Sequence, residues 1–303
     1  MSPSLDTPAA ARGLQPTRPF YWSVRRELWE NRSTYLAPLI VAGVVLFAYL
    51  LGMAHLATGH ATWTHDGEAQ QMDMAALLTM NFPYHVVAAA VLITGLIVGM
   101  FYCLGALHGE RQDRSILFWK SLPVSDRVAV LAKTAIPMLV IPAAAIVIAL
   151  AAQLVMVLIS LIGLAAHGKD PGMLWSTLPF AGVAILVYGQ FAVALWYAPV
   201  YAWFLLVSAW AKKMTFLWAV APPLVLALFE KIAFHTSFVG ELVKDRLFGV
   251  SGAAFRHIKG HEMELSSIDP GGYLASPGLW LGLIAAGLML AGVVWLRRRR
   301  EPI

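Results

Sequence analysis

The sequence predicts an all-α integral membrane protein with six transmembrane helices, and three observations carry that prediction. Hydrophobic residues make up 59% of the 303 and charged residues 13%, where soluble domains run at roughly 45–50% and 25%. Six stretches stay apolar over the roughly 20 residues that a helix needs to cross a hydrocarbon core of about 30 Å. Lys and Arg also alternate from loop to loop, as they do when cytoplasmic loops retain positive charge. A soluble globule of this composition would expose large apolar patches. Disorder and a disulfide scaffold are excluded by the apolar content and by the single cysteine, Cys103. The net charge of +5 would suggest nucleic acid in a soluble chain. Spread over alternate loops, it reads instead as membrane orientation, with no nucleic-acid partner.

Residues 1–33 are rich in Pro and charge, lack an apolar core segment, and read as a cytoplasmic tail rather than a signal peptide. Over 20–32 a helical wheel puts Phe20, Tyr21, Val24 and Leu28 on one side, continuing to Trp22 and Trp29. Arg26, Glu27 and Glu30 fall on the other side. The pattern suits a helix lying in the interface plane, with aromatics at headgroup depth and Arg25 snorkelling. The alternative is that these residues simply begin the first span.

The remainder, 34–303, forms one transmembrane domain with spans at 34–56, 86–107, 134–166, 181–210, 216–229 and 279–296, none of which contains Asp, Glu, Lys or Arg. The third and fourth are long enough to tilt strongly. Pro137, Pro142 and Pro199 are the expected kinks, because each removes a backbone donor. The tail carries five arginines, the 57–85 connection no Lys or Arg, and the next loop Arg111, Arg114, Lys120, Arg127 and Lys133. Lys169, then Lys212 with Lys213, then the run 297–300 continue the alternation. Both termini are therefore expected in the cytoplasm, the membrane being the bacterial inner one. The outer loop 235–278 departs from the rule, but long loops obey it poorly.

The spans lack Asp, Glu, Lys and Arg, the charged groups that mark substrate and ion paths in many ion-coupled carriers. Near membrane depth the candidates are Glu230 and Lys231 at the outer end of the fifth span, with the neutral Gln153 and Gln190. Glu230 reads either as an interfacial anchor or as a group making an interhelical hydrogen bond or lining an exit path. The run from Gly163 through Gly168 and Lys169 to Asp170 imitates a phosphate loop. It lacks the Ser or Thr after Lys and the preceding strand that such a loop needs. His60, His65, His85, His257 and His261 share the outer loops with acidic residues but form no zincin spacing, so no metal site is assigned. Gly95 with Gly99, and Gly278 with Gly282, form G-x-x-x-G pairs that allow close helix approach, within the chain or between copies.

The most informative stretch is the loop 108–133. Asp113 can cap a short helix over 114–122, Pro123 stops it, and Ser125 or Asp126 caps the helix leading through Lys133 into the third span. That short helix carries Ile116, Leu117, Phe118, Trp119 and Leu122. So apolar a loop helix must bury itself, against the membrane face or in a groove of a cytoplasmic partner.

The sequence from Glu110 to Pro123, followed by Ser125, Asp126 and Lys133, resembles the corresponding loop of bacterial ABC type-2 transporter permeases. The specific motif covers about 25 residues, while span order and loop lengths resemble that family over nearly the whole chain. The resemblance implies that the loop carries a coupling helix docking on a separate ABC ATPase subunit, which would hold ATP and magnesium. It also implies a second permease copy, most simply in a homodimer, and short re-entrant helices in the outer loop, where 234–250 is suitably apolar. The docking residues would be Phe118 and Trp119 as anchors with Leu122 and Pro123, rimmed by Glu110, Arg111, Asp113, Arg114 and Lys120. The function implied is the permease of an ATP-driven exporter, itself without enzymatic activity. Its substrate contacts would come from aromatic and amide groups, Gln153, Tyr188, Gln190 and Trp196, with Glu230 at an exit path. The rival reading is a non-transporting membrane sensor or assembly subunit using the same docking helix. An intramembrane enzyme has neither nucleophile, acid pair nor metal set to rest on.

Overall fold

The computed structural model describes residues 18–57, 62–65, 68–71, 82–115, 124–166, 170, 180–255 and 265–299. The described residues are overwhelmingly helical, as the composition requires: apolar spans satisfy their backbone groups internally only as helices or closed barrels. Helix α1 (Pro19–Glu30) ends at Asn31, and α2 (Ser33–Ala57) starts anew, so the amphipathic segment is a separate element and not the first turns of a span. An antiparallel pair of β1 (Thr62–His65) and β2 (Glu68–Gln71) follows, with Thr62 opposite Gln71 and His65 opposite Glu68. Helix α3 (Phe82–Ala106) continues almost unbroken into α4 (His108–Gln112). Helix α5 (Asp126–Ala135) runs through a π-helical turn (Ile136–Val140) into α6 (Ile141–Ala166).

Helices α7 (Phe180–Trp196) and α8 (Ala198–Trp210) meet at a 45° bend. Then come α9 (Thr215–Phe234), α10 (Phe238–Phe248), α11 (Val250–Ala254), α12 (Pro270–Ala275) and α13 (Pro277–Arg299). Among the described residues, five helical stretches are long and apolar enough to cross a membrane, and the bent α7–α8 pair raises this to six if it counts as one span. The fourth stretch is thus broken beside Pro199, where the sequence predicts a kink. Pro199, the second residue of α8, sits just past the break, and Pro137 lies within the π turn, where helices commonly lose a regular bond.

Helix α3 is the axis of the bundle. On one side it packs with α2 and α6 through Val87, Val91, Ala145, Ala149 and Met156. On the other it meets α8, against which α13 packs in turn, in a core that includes Cys103, Tyr201, Leu205 and Val293. Both G-x-x-x-G pairs are used within the chain. A Cβ at Gly99 would lie 3.3 Å from the Tyr201 ring and 3.4 Å from Pro137, and one at Gly95 would lie 3.3 Å from Ile141. One end of the bundle, here the base, gathers α1, α4, α5 and the end of α13. The opposite end, the crown, gathers α10, α11 and α12 around α7.

Candidate functional site: an ionic junction at the base

The base holds an interior cluster of charges that the spans otherwise exclude. Glu27 on α1 and Lys133 on α5 are 2% and 3% exposed and lie 2.8 Å apart. Lys133 also reaches Glu110 on α4 at 3.1 Å. Glu110 in turn accepts from Arg297, at the end of α13, at 2.8 Å and from Arg26 at 3.2 Å. Arg297 bridges onward to Asp126, the first residue of α5, at 3.1 Å, and Arg26 bonds Glu27 at 2.7 Å. The Tyr102 hydroxyl on α3 donates to Glu27 at 2.8 Å. Three cations thus face three carboxylates across four helices, with a fifth, α3, adding the Tyr102 hydroxyl, which offsets the large cost of taking each charge out of water. Burial alone would raise the Glu27 carboxyl. The charge and hydrogen bond of Lys133, the Tyr102 hydroxyl and Arg26 together outweigh it and hold the group below its ordinary value of 4.5. At the rim, burial raises Glu30 above that value. A cavity of about 160 Å³ opens on the junction between α1, α5 and Arg297, bordered by Trp22, Ser23 and Asp126.

Helix α1 turns its charges inward. Phe20, Tyr21, Trp22 and Trp29 are exposed, with Arg25 over the Trp22 ring at 5.3 Å and over Trp29 at 4.6 Å. Val24 and Leu28 pack on the core and Glu27 is buried beside them, so the face drawn from the wheel as solvent-facing is partly an internal contact. Ser125 is the N-cap of α5, its hydroxyl accepting from Val128 N–H at 3.3 Å, as the sequence suggested.

Asp113 and Arg114 behave differently from expectation. Asp113 is the C-terminal cap of α4, its N–H bonding the Gly109 carbonyl, and Arg114 has φ of 59°, in the left-handed region. Arg114 itself is not helical, but the chain re-enters a helix at Ser115, one residue after the expected start, and 116–123 lie outside the described residues. Glu110 and Arg111 are buried and bond within the bundle. Arg111 donates to the carbonyls of Ala209 and Ala211 at 2.8 and 3.2 Å, closing the end of α8. Beside it the Ser208 hydroxyl accepts from Leu107 and His108 N–H at 3.0 and 2.9 Å, bridging the turn between α3 and α4. Phe118, Trp119, Lys120, Leu122 and Pro123 lie outside the described residues.

The residues sought as a substrate path do not converge. The Gln153 amide donates to the Tyr84 carbonyl at 3.1 Å, next to a buried hydroxyl set in which Tyr49 and Tyr84 meet Ser160 at 2.7 and 3.2 Å. Tyr188 and Trp196 fasten the crown helices, donating to the carbonyls of Ala254 at 3.0 Å and Asp245 at 3.4 Å. Gln190 is buried on α7. Glu230 takes the interhelical option: it accepts from Thr236 and from the N–H groups of Phe238 and Val239, each at 2.7 Å, and so caps α10. The outer-loop His257 and His261 lie outside the described residues, and among those described no group of His, Cys, Asp and Glu has metal-holding geometry.

The sequence reading named Glu110, Lys133, Asp126 and Arg297 separately and missed their meeting. The available signal was the placement of each at the base end of its element, with Glu27 in register on the amphipathic helix. Comparison with protein-family models, curated proteins and solved structures finds no match.

Proposed function

We propose that this chain is the transmembrane permease subunit of an ATP-binding-cassette exporter, working as two copies in a bacterial cytoplasmic membrane. The base is its cytoplasmic face. A separate ATPase, carrying the nucleotide and magnesium, docks on the loop between α4 and α5. The observation that carries the reading is the anchoring of both flanks of that loop, through Glu110 and through Asp126 and Lys133, in one buried ionic junction. A loop so held transmits displacement instead of absorbing it, because packed and bonded elements shift between discrete arrangements. Its Ile116, Leu117, Phe118, Trp119 and Leu122 supply the apolar centre that a docking surface needs.

In this mechanism, closure of the partner ATPases pulls the loop. Glu110 and Lys133 carry the movement to α1 through Glu27, and Arg297 carries it to α13. The π turn following α5 is the point at which α6 can respond, since such turns are frequent at functional hinges. The spans' lack of Asp, Glu, Lys and Arg fits a transporter powered from outside the chain. The test is isolation of the tagged chain from its native membranes in mild detergent. An ATPase with a nucleotide-binding motif is expected to co-purify at near-equal stoichiometry, and a chain that consistently emerges alone would refute the proposal.

A further inference from the structure

The crown contains a charge that the proposed mechanism does not use. Arg246, on α10, donates to the Trp196 carbonyl at 3.2 Å and to the Gly278 carbonyl at 2.8 Å, with its guanidinium 4.6 Å from the centre of the Trp196 ring. Trp196 is the last residue of α7, where helix carbonyls lose their intrahelical donors and a cation is favoured. Gly278 belongs to the first turn of α13. One planar fork therefore ties the break in the fourth span to the start of the last, a geometry that lysine, a single point charge, does not reproduce. Gly282 makes the space: a Cβ there would stand 2.6 Å from the guanidinium. The contact is reciprocated, since the carbonyls of Asp245 and Leu247 accept from the side chains of Trp196 and Tyr197.

Helix α10 buries none of its own side chains, and Phe238, Leu242 and Phe248 are exposed. It is held at its start by Glu230 and at its end by this clasp, with little apolar burial between. An element fastened by hydrogen bonds at its ends opens more readily than one packed into a core.

We propose that Arg246 is the positioning residue of an outer clasp, holding α10 and α11 against the break between α7 and α8 and keeping the crown end of the bundle shut. As a gate for export it rests on the permease reading; as a closure it stands by itself, and the test separates the two. A cysteine is placed at Ala192, which is buried under the crown and whose carbonyl accepts from Tyr273, in a chain carrying Cys103→Ala. The purified protein in nanodiscs, exposed on both faces, is treated with a small maleimide. Arg246→Ala should raise the labelling rate about tenfold or more, the scale set by losing charge-assisted hydrogen bonds, and Arg246→Lys should fall between. Gly282→Ala keeps the arginine but takes its place, and should act like Arg246→Ala. Parental labelling rates in both Arg246→Ala and Gly282→Ala would overturn the clasp. No ATPase or substrate enters the assay, so a failed search for a partner ATPase would count against the permease reading and leave this result standing.

Discussion

Lys133 sits between two carboxylates with almost no access to water, and this makes it the most consequential single side chain at the base. Removing one partner of a buried pair strands the other charge and costs ~3–5 kcal/mol. Lys133→Met is therefore expected to lower thermal stability in detergent strongly, whereas adding Glu27→Gln should recover part of the loss. A fully additive double variant would mean that the two groups are not coupled. Acid should act on the same contact. Glu27 is held below 4.5, so its contribution is complete above that value and fades as pH falls through the lowered one. Glu30, raised by burial, runs the other way: its charged form is disfavoured, and protonation relieves it. Melting curves taken downward from pH 7 should show wild type losing stability below about pH 4.5, and Glu27→Gln losing less. Identical acid profiles for the two would remove Glu27 from the account. At the crown, burial pushes the Tyr273 hydroxyl up to about 12, so it remains a donor to Ala192 throughout this range.

At the scale of elements, helices and strands were unequally legible. The long apolar runs located the long helices, although the third begins at Asp126, eight residues before the expected 134, and the fifth runs to Phe234, because helix propagates past the apolar stretch into the flanking residues. The break at Tyr197 was less visible: Pro199 marked it, but a proline near the end of a turn can equally be absorbed as a mild bend. The inward turn of α1 was hidden because Glu27 buried against Lys133 and Glu27 in water give the same wheel; only the partner's position tells them apart. The crown clasp was hidden for the same reason, since Trp196 and Tyr188 read as path-lining aromatics until their acceptors are known. Where α3 crosses α8 and the π turn, spacing is exacting. Gly99→Ala would ask Tyr201 and Pro137 to give by a few tenths of an ångström, while Gly99→Leu would force the helices apart. The leucine variant is expected to lose the folded peak in detergent gel filtration and the alanine variant to keep it. Retention by both would show that the crossing is looser than these distances imply.

For the whole molecule, orientation and partnership follow from one another: the base must face the cytoplasm if an ATPase is to reach the loop. Cysteines introduced near Glu68 and Lys169 should label from outside sealed cells, and those at Ser121 and Arg299 should not. External labelling at Ser121 would invert the assignment. Most of the spans were legible from composition and periodicity, whereas the junction was not, because it joins residues 26 to 297 and no local pattern reports such a meeting. The central claim is that the loop between α4 and α5 holds an ATPase through Phe118 and Trp119. Buried aromatic anchors typically cost ~2 kcal/mol or more each when truncated, and ~2.8 kcal/mol would weaken affinity about a hundredfold. The most direct measurement is ATP hydrolysis by the ATPase that co-purifies with the tagged chain, compared between wild type and Phe118→Ala with Trp119→Ala at equal membrane levels and equal melting temperature. The account predicts hydrolysis with the wild type and almost none with the double variant; equal hydrolysis in the two would contradict it.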